Sequence, residues 1–188
     1  MKKILITVLI SLISIFSYAQ KIVADEMQDD LRVVETSAIV ARNFTDTKVY
    51  IFGLRGYSYN TEDVDYTLII RINGFSNISE NSKKVLIKTF NNNVLNLSTL
   101  SSSNNKYNLQ VIGNHIYNLN YCIFYVPISE NDIITLKSGL KKLRIELDSG
   151  YIDKEYKKDK VGEKLYNSYL LIKNQFKYVK APTLESNF

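Results

Sequence analysis

Between Lys141 and Asp148 the side chains alternate without a fault: Leu143, Ile145 and Leu147 fall on one side, and Lys142, Arg144, Glu146 and Asp148 on the other. Successive residues of a strand point to opposite faces, so this segment is stable only with one face on a core and the other in water. The same period recurs along the chain. A first strand is predicted from Arg32 to about Arg42, with Asn43–Thr47 as a turn. A long second strand covers Lys48–Tyr59, where Gly53 and Gly56 suggest a bulge or bend. After a turn at Asn60–Asp63, Val64–Asn73 places Tyr66, Leu68, Ile70 and Ile72 on one face. Beyond the Gly74–Ser82 loop, Lys84–Phe90 and Val94–Leu100 form a hairpin, turning where Asn91 and Asn92 tolerate positive φ. A second hairpin turns at Gly113-Asn114; its return, His115–Val126, is apolar on both faces from Tyr121 onward and reads as a central, buried strand that Pro127 stops.

Two segments carry a helical period instead. Ser129–Ser138 starts on a Ser129/Asp132 pattern close to a capping box and ends at Gly139. In the last stretch Val161, Leu165, Tyr169, Ile172 and Phe176 form one stripe, with Asp159 as N-cap and Pro182 beyond the far end. Many strands, a short helix, one more strand and a covering helix make an α+β chain, predominantly β. The architecture is an antiparallel, sandwich-like β core with a C-terminal amphipathic helix packed on it.

The first 19 residues follow a different logic. Lys2 and Lys3 precede an uncharged run from Ile4 to Phe16, and Ser17-Tyr18-Ala19 supplies the small–any–small pattern of a signal-peptide cleavage site. The run is too short for a spanning helix, which needs about 20 apolar residues. The expected order is therefore a signal peptide over 1–19, a mobile lead-in over 20–31, and one domain over 32–188. The expected location is the periplasm, the outer surface or the medium. Lys2 and Lys3 are the only charges in the first 19 residues, so 22 basic and 19 acidic side chains remain beyond them. That balance demands neither nucleic acid nor an anionic membrane as partner. Cys122 is the one cysteine, so no intrachain disulfide forms; between aromatic and aliphatic neighbours it reads as a small buried hydrophobe.

Chemistry is sparse in the sequence. His115 is the lone histidine and cannot build a zinc site by itself. No nucleophile elbow, calcium loop or cofactor motif is present, so no catalytic residue, metal or cofactor is assigned. The acidic groups Asp25/Glu26/Asp29/Asp30 and Glu62/Asp63/Asp65 read as solvated lead-in and turn residues. The most distinctive stretch is Gly150–Gly162, GYIDKEYKKDKVG, where tyrosines interleave with lysines. Its bland reading is a solvated connection into the last helix. Its functional reading is a contact patch of Tyr151, Tyr156, Lys157, Lys158 and Lys160 for a protein or a polar or anionic surface partner.

Three segments, NFTDTKVY (Asn43–Tyr50), ISENDIITLKSGLKKLRIEL (Ile128–Leu147) and DKEYKKDKVG (Asp153–Gly162), resemble a family of short exported Bacteroidota proteins to which no activity is attached. The resemblance implies export and one domain, and it transfers no site residues. The leading expectation is a non-enzymatic exported protein with a binding or structural role. The alternative is a small carboxylate hydrolase such as a glycosidase, and a third reading is an inhibitor presenting one exposed patch. Mass spectrometry of the exported protein tests the first step: residues 1–19 should be missing, leaving Gln20 first, and an intact Met1–Ala19 on membrane-bound protein overturns it.

Overall fold

Apolar residues two apart on neighbouring strands come into line when the strands pair, and this alignment organises the core. In the computed structural model, which describes residues 20–41, 48–59, 63–74, 82–100, 109–112, 115–118, 121–147 and 150–179, β4 (Val49–Ser58), β5 (Asp65–Asn73) and β10 (Tyr121–Pro127) pair antiparallel. Their register sets Tyr50, Ile72 and Cys122 in one row, Phe52, Ile70 and Phe124 in the next, and Leu54, Leu68 and Val126 in a third. All nine are buried. Directly opposed side chains on one face are the unit of sheet stability.

On the other edge of β4 lie β2 (Leu31–Thr36) and β3 (Ile39–Ala41), and β1 (Ile22–Gln28) pairs with β2. The sheet order is β1-β2-β4-β5-β10, with β3 beside β4. A second sheet has the order β12-β11-β6-β7, from β6 (Ser82–Thr89), β7 (Val94–Ser98), β11 (Leu140–Leu147) and β12 (Gly150–Glu155). Its buried rows are Leu97–Val85–Ile145–Ile152 and Leu95–Ile87–Leu143, and both sheets join one apolar cluster. β8 (Leu109–Ile112) and β9 (His115–Asn118) form a separate hairpin. The antiparallel, predominantly β fold with two helices is thus as expected.

The helices close what the sheets leave open. α1 (Glu130–Leu136) starts at Ser129, whose hydroxyl accepts from the Asp132 amide at 3.1 Å, and stops before Gly139 at φ +91°. α2 (Gly162–Tyr178) lies against β2, β4 and α1, with Leu165, Tyr169, Ile172 and Phe176 buried.

Five expectations change. Residues 20–31 are largely strand β1, because Asp25 has a partner there. Arg32 clasps its carboxylate at 2.8 and 2.7 Å, donates to the Val179 carbonyl at 2.9 Å and lies over the Phe176 ring, while Gln175 donates to Asp25 at 2.7 Å. The first strand is broken at Ser37-Ala38, where the pairing on β4 slips by one residue. Gly53 and Gly56 make no bulge, since β4 keeps unbroken register with β5. A Cβ on Gly56 would stand 2.5 Å from Ile172 Cγ2, so this glycine admits the helix. The return of the second hairpin is split into β9 and β10, and β10 is the last strand of its sheet, buried on one face, not a central strand. Gly150–Glu155 is a strand, not a solvated connection. The signal segment, the Asn43–Thr47 turn and the chain after 179 lie outside the described residues.

Asp159 joins the parts. Its carboxylate accepts from the amides of Val161, Gly162 and Glu163 at 3.0, 2.8 and 3.0 Å and from Leu140, the first residue of β11, at 3.0 Å. Burial opposes the charge, but these four donors outweigh it and hold the carboxyl below its ordinary pKa. A depressed carboxylate contributes stability above its unfolded pKa of about 3.9, which is lost as pH falls through the folded value. Asp159→Ala removes a helix cap and orphans the Leu140 amide. It should cost about 2–4 kcal/mol in denaturant unfolding at pH 7, and that cost should shrink toward pH 3. An unchanged midpoint at pH 7 would show that the cap is idle.

Candidate functional site

The five residues singled out by the sequence do not converge. Tyr151 is exposed on the outer face of the second sheet, under the Arg144 guanidinium at 4.1 Å. Tyr156 points the other way, into the core, and is 4 % exposed. Lys157, Lys158 and Lys160 are exposed after β12. Period-two alternation explains the split: Tyr151 and Tyr156 are five apart and so take opposite faces.

Around Tyr151 the outer face is a charge ladder. Arg144 forms a bidentate pair with Asp153, 2.7 Å for each bond, and Lys142 reaches Asp153 and Glu155 at 3.1 Å. The Arg144 bonds, set against slight burial, bring the Asp153 pKa down to about 2. A hollow of about 220 Å³ is lined there by Leu86, Lys88, Val94, Lys142 and Arg144. With Lys142 and Arg144 already paired, this face is a solvated ion network.

A larger groove, about 730 Å³, opens at one end of the first sheet. β4 supplies Tyr57 and, just past its end, Tyr59; β5 supplies Asp65, Tyr66 and Thr67; β10 supplies Tyr125 and Pro127. Leu31, Leu100, Ile128 and Ser129 complete the lining. Strand register assembles it, since Tyr57 faces Asp65 and Thr67 faces both Arg55 and Pro127 across neighbouring strands. Tyr59 is 79 % exposed and Tyr66 7 % exposed, so the rings run from rim to floor.

The floor is fixed from behind. Tyr66 meets the Tyr169 ring edge-on at 5.4 Å, and the Tyr169 hydroxyl bonds to Glu130 while accepting from Lys173 at 2.8 Å. Burial first, then the Tyr169 and Glu130 charges, push the Tyr66 phenol well above its ordinary range, so it stays protonated. Beside the groove Arg55 is paired with Glu35 at 2.8 Å and donates to the Tyr57 hydroxyl at 3.3 Å. Ser129 is spent on the α1 cap, donating to Asp132 at 2.6 Å. Asp65 has no side-chain partner among the described residues and is the single charged group in the described lining.

Compared with protein-family models, curated proteins and solved structures, the chain matches none. No helix among the described residues is long and apolar enough to cross a membrane, and no group of three or more metal-ligating side chains occurs among them. The sequence reading missed the groove. Asp65 lay within the acidic group Glu62/Asp63/Asp65 read as solvated turn residues.

Cys122 sits where the sequence placed it. It is fully buried, its thiol donates to the Ile72 carbonyl at 3.8 Å, and burial pushes its pKa up to about 11. Thiol reagents at pH 8 should therefore leave the folded protein unlabelled and label one thiol per chain once denaturant unfolds it. Rapid labelling of native protein would contradict this burial.

Proposed function

We propose that this chain is an exported, non-enzymatic binding protein that holds a saccharide in the tyrosine-walled groove. Export is inferred from the Lys2–Ala19 pattern. The observation that carries the reading is the convergence of four tyrosines from three neighbouring strands, or their ends, on one open groove. Binding pockets of roughly 300–1,000 Å³ with mostly apolar walls and few polar groups suit small organic ligands. Sugar rings offer apolar C–H faces to aromatic walls and hydroxyls to groups such as Asp65 and the Tyr66 phenol. A phenol that stays protonated keeps its donor throughout the physiological range.

Hydrolysis of a glycoside requires two carboxyl groups about 5–9.5 Å apart. Asp65 is the one carboxylate in the described lining, so the groove favours binding over turnover. The lysine-rich stretch after Tyr151 is not part of this reading, because its side chains scatter over different faces.

A glycan array probed with the purified protein tests the proposal. Retention of particular glycans, unchanged in length after incubation, is the expected result. Tyr57→Ala and Tyr125→Ala should each weaken retention roughly fivefold or more, about 1 kcal/mol, with little change in melting temperature. Absence of any retained glycan sinks the reading, and shortened products would return the hydrolase.

A further inference from the structure

Resting on that reading, we infer that the groove selects sugars carrying a free ammonium group, such as glucosamine units, over neutral and acidic ones. Tyr57 and Asp65 are direct partners across β4 and β5. Opposed residues on one sheet face hold their Cβ atoms about 4.5–5.5 Å apart. The Tyr57 ring therefore stands beside a carboxylate with no side-chain partner among the described residues, with Tyr59 and Tyr66 in the same lining. A cation is recognised here first through the charge of Asp65, with the tyrosine rings of the lining adding their negative faces on the sides that Arg55 leaves open.

The surroundings sharpen the preference. No lysine or arginine lines the groove among the described residues. Arg55, beside the groove, spends its guanidinium on Glu35, on the Tyr57 hydroxyl and on one side of the Tyr57 ring, 6.0 Å from its centroid. An acidic sugar would meet Asp65 with no cationic side chain of the described lining to offset the repulsion, and a neutral one would leave the carboxylate without a charged partner. Arg71, on the same face of β5 as Asp65, lies over the Tyr121 ring at 3.9 Å and is not part of the groove lining.

Titration calorimetry at pH 6, where the sugar amines carry protons, tests this with four probes: a glucosamine tetramer, its N-acetylated counterpart, a galacturonic acid tetramer and trilysine. The glucosamine tetramer should bind roughly tenfold more tightly than the acetylated one, and the acidic tetramer least. Asp65→Asn should erase the difference between the first two while leaving both bound, and added salt should narrow it. Equal binding of the two by the unaltered protein overturns the charge preference but leaves the saccharide groove standing. A preference that survives Asp65→Asn assigns it to another residue and overturns the mechanism. Trilysine binding tighter than the glucosamine tetramer overturns the sugar class. Failure of every sugar overturns both this inference and the reading beneath it.

Discussion

Four backbone amides converge on the carboxylate of Asp159, and the arrangement of the layers depends on that convergence. One donor, Leu140, opens β11 of the second sheet, and the other three are the N-cap Val161 and the first two residues of α2, which lies on the first sheet. Fixing these two starts to one side chain sets where the helix leaves the second sheet and hence which part of the first it covers. The approach is close enough to exclude side chains. A Cβ on Gly162 would fall 2.2 Å from the Leu136 carbonyl oxygen and 2.7 Å from Gly139 Cα. Farther along, Gly56 receives Ile172 and Phe176 at distances that a methyl group would close. The helix is thus held by a cap at its start, by a glycine seat midway, and by the Arg32–Asp25 clasp at its end.

That clasp places a nearly buried guanidinium, 3 % exposed, in the fold. Such a charge is tolerable only with its hydrogen bonds made, and here a carboxylate, the helix-terminal Val179 carbonyl and a ring face provide them. Burial works against the Asp25 charge, but Arg32 and Gln175 prevail and lower its pKa. A carbonyl at a helix C-terminus carries partial negative charge, which suits the cation. The first hairpin is therefore tied to the last turn of the last described helix.

Much of this was legible locally. Period-two alternation gave the faces of β5, β6, β7 and β11, and the three-to-four spacing gave the buried stripe of α2; Asp159, read as the N-cap, stands two residues before the N-cap Val161, yet its carboxylate does hold the first amides. The errors share one cause: the partner that decided each case was remote in sequence. Glycines in β4 look like a bulge until α2, more than a hundred residues later, is laid on Gly56. Acidic residues at 25–30 look like a solvated lead until Arg32 and Gln175 are placed beside Asp25. An apolar run at Tyr121–Val126 reads as a central strand, although half-buried Tyr121, Ile123 and Tyr125 lie on the outer face of a terminal one. The groove was least legible of all. Tyr57 and Asp65 meet through β4–β5 register, while Tyr125 arrives through β10, some sixty residues further on.

The same register separates the core from the groove wall. Phe52, Ile70 and Phe124 share the inner face with α2, whereas Tyr57 and Tyr125, of opposite parity, lie on the outer face. Ring chemistry on the outer face can thus vary without opening the core. Tyr66 is the exception. It lines the groove yet is buried against Tyr169, and Tyr169 is itself gripped by Glu130 of α1 and Lys173 of α2. Through this one side chain the two helices fix the groove floor. Tyr66 cannot move unless α2 moves, so the floor should be the rigid element of the groove and the rim tyrosine, Tyr59, the adaptable one. Rigid floors preserve binding energy that a mobile wall would lose in ordering. The contact that makes Tyr66 poorly exposed is thus also what makes it the firm part of the groove.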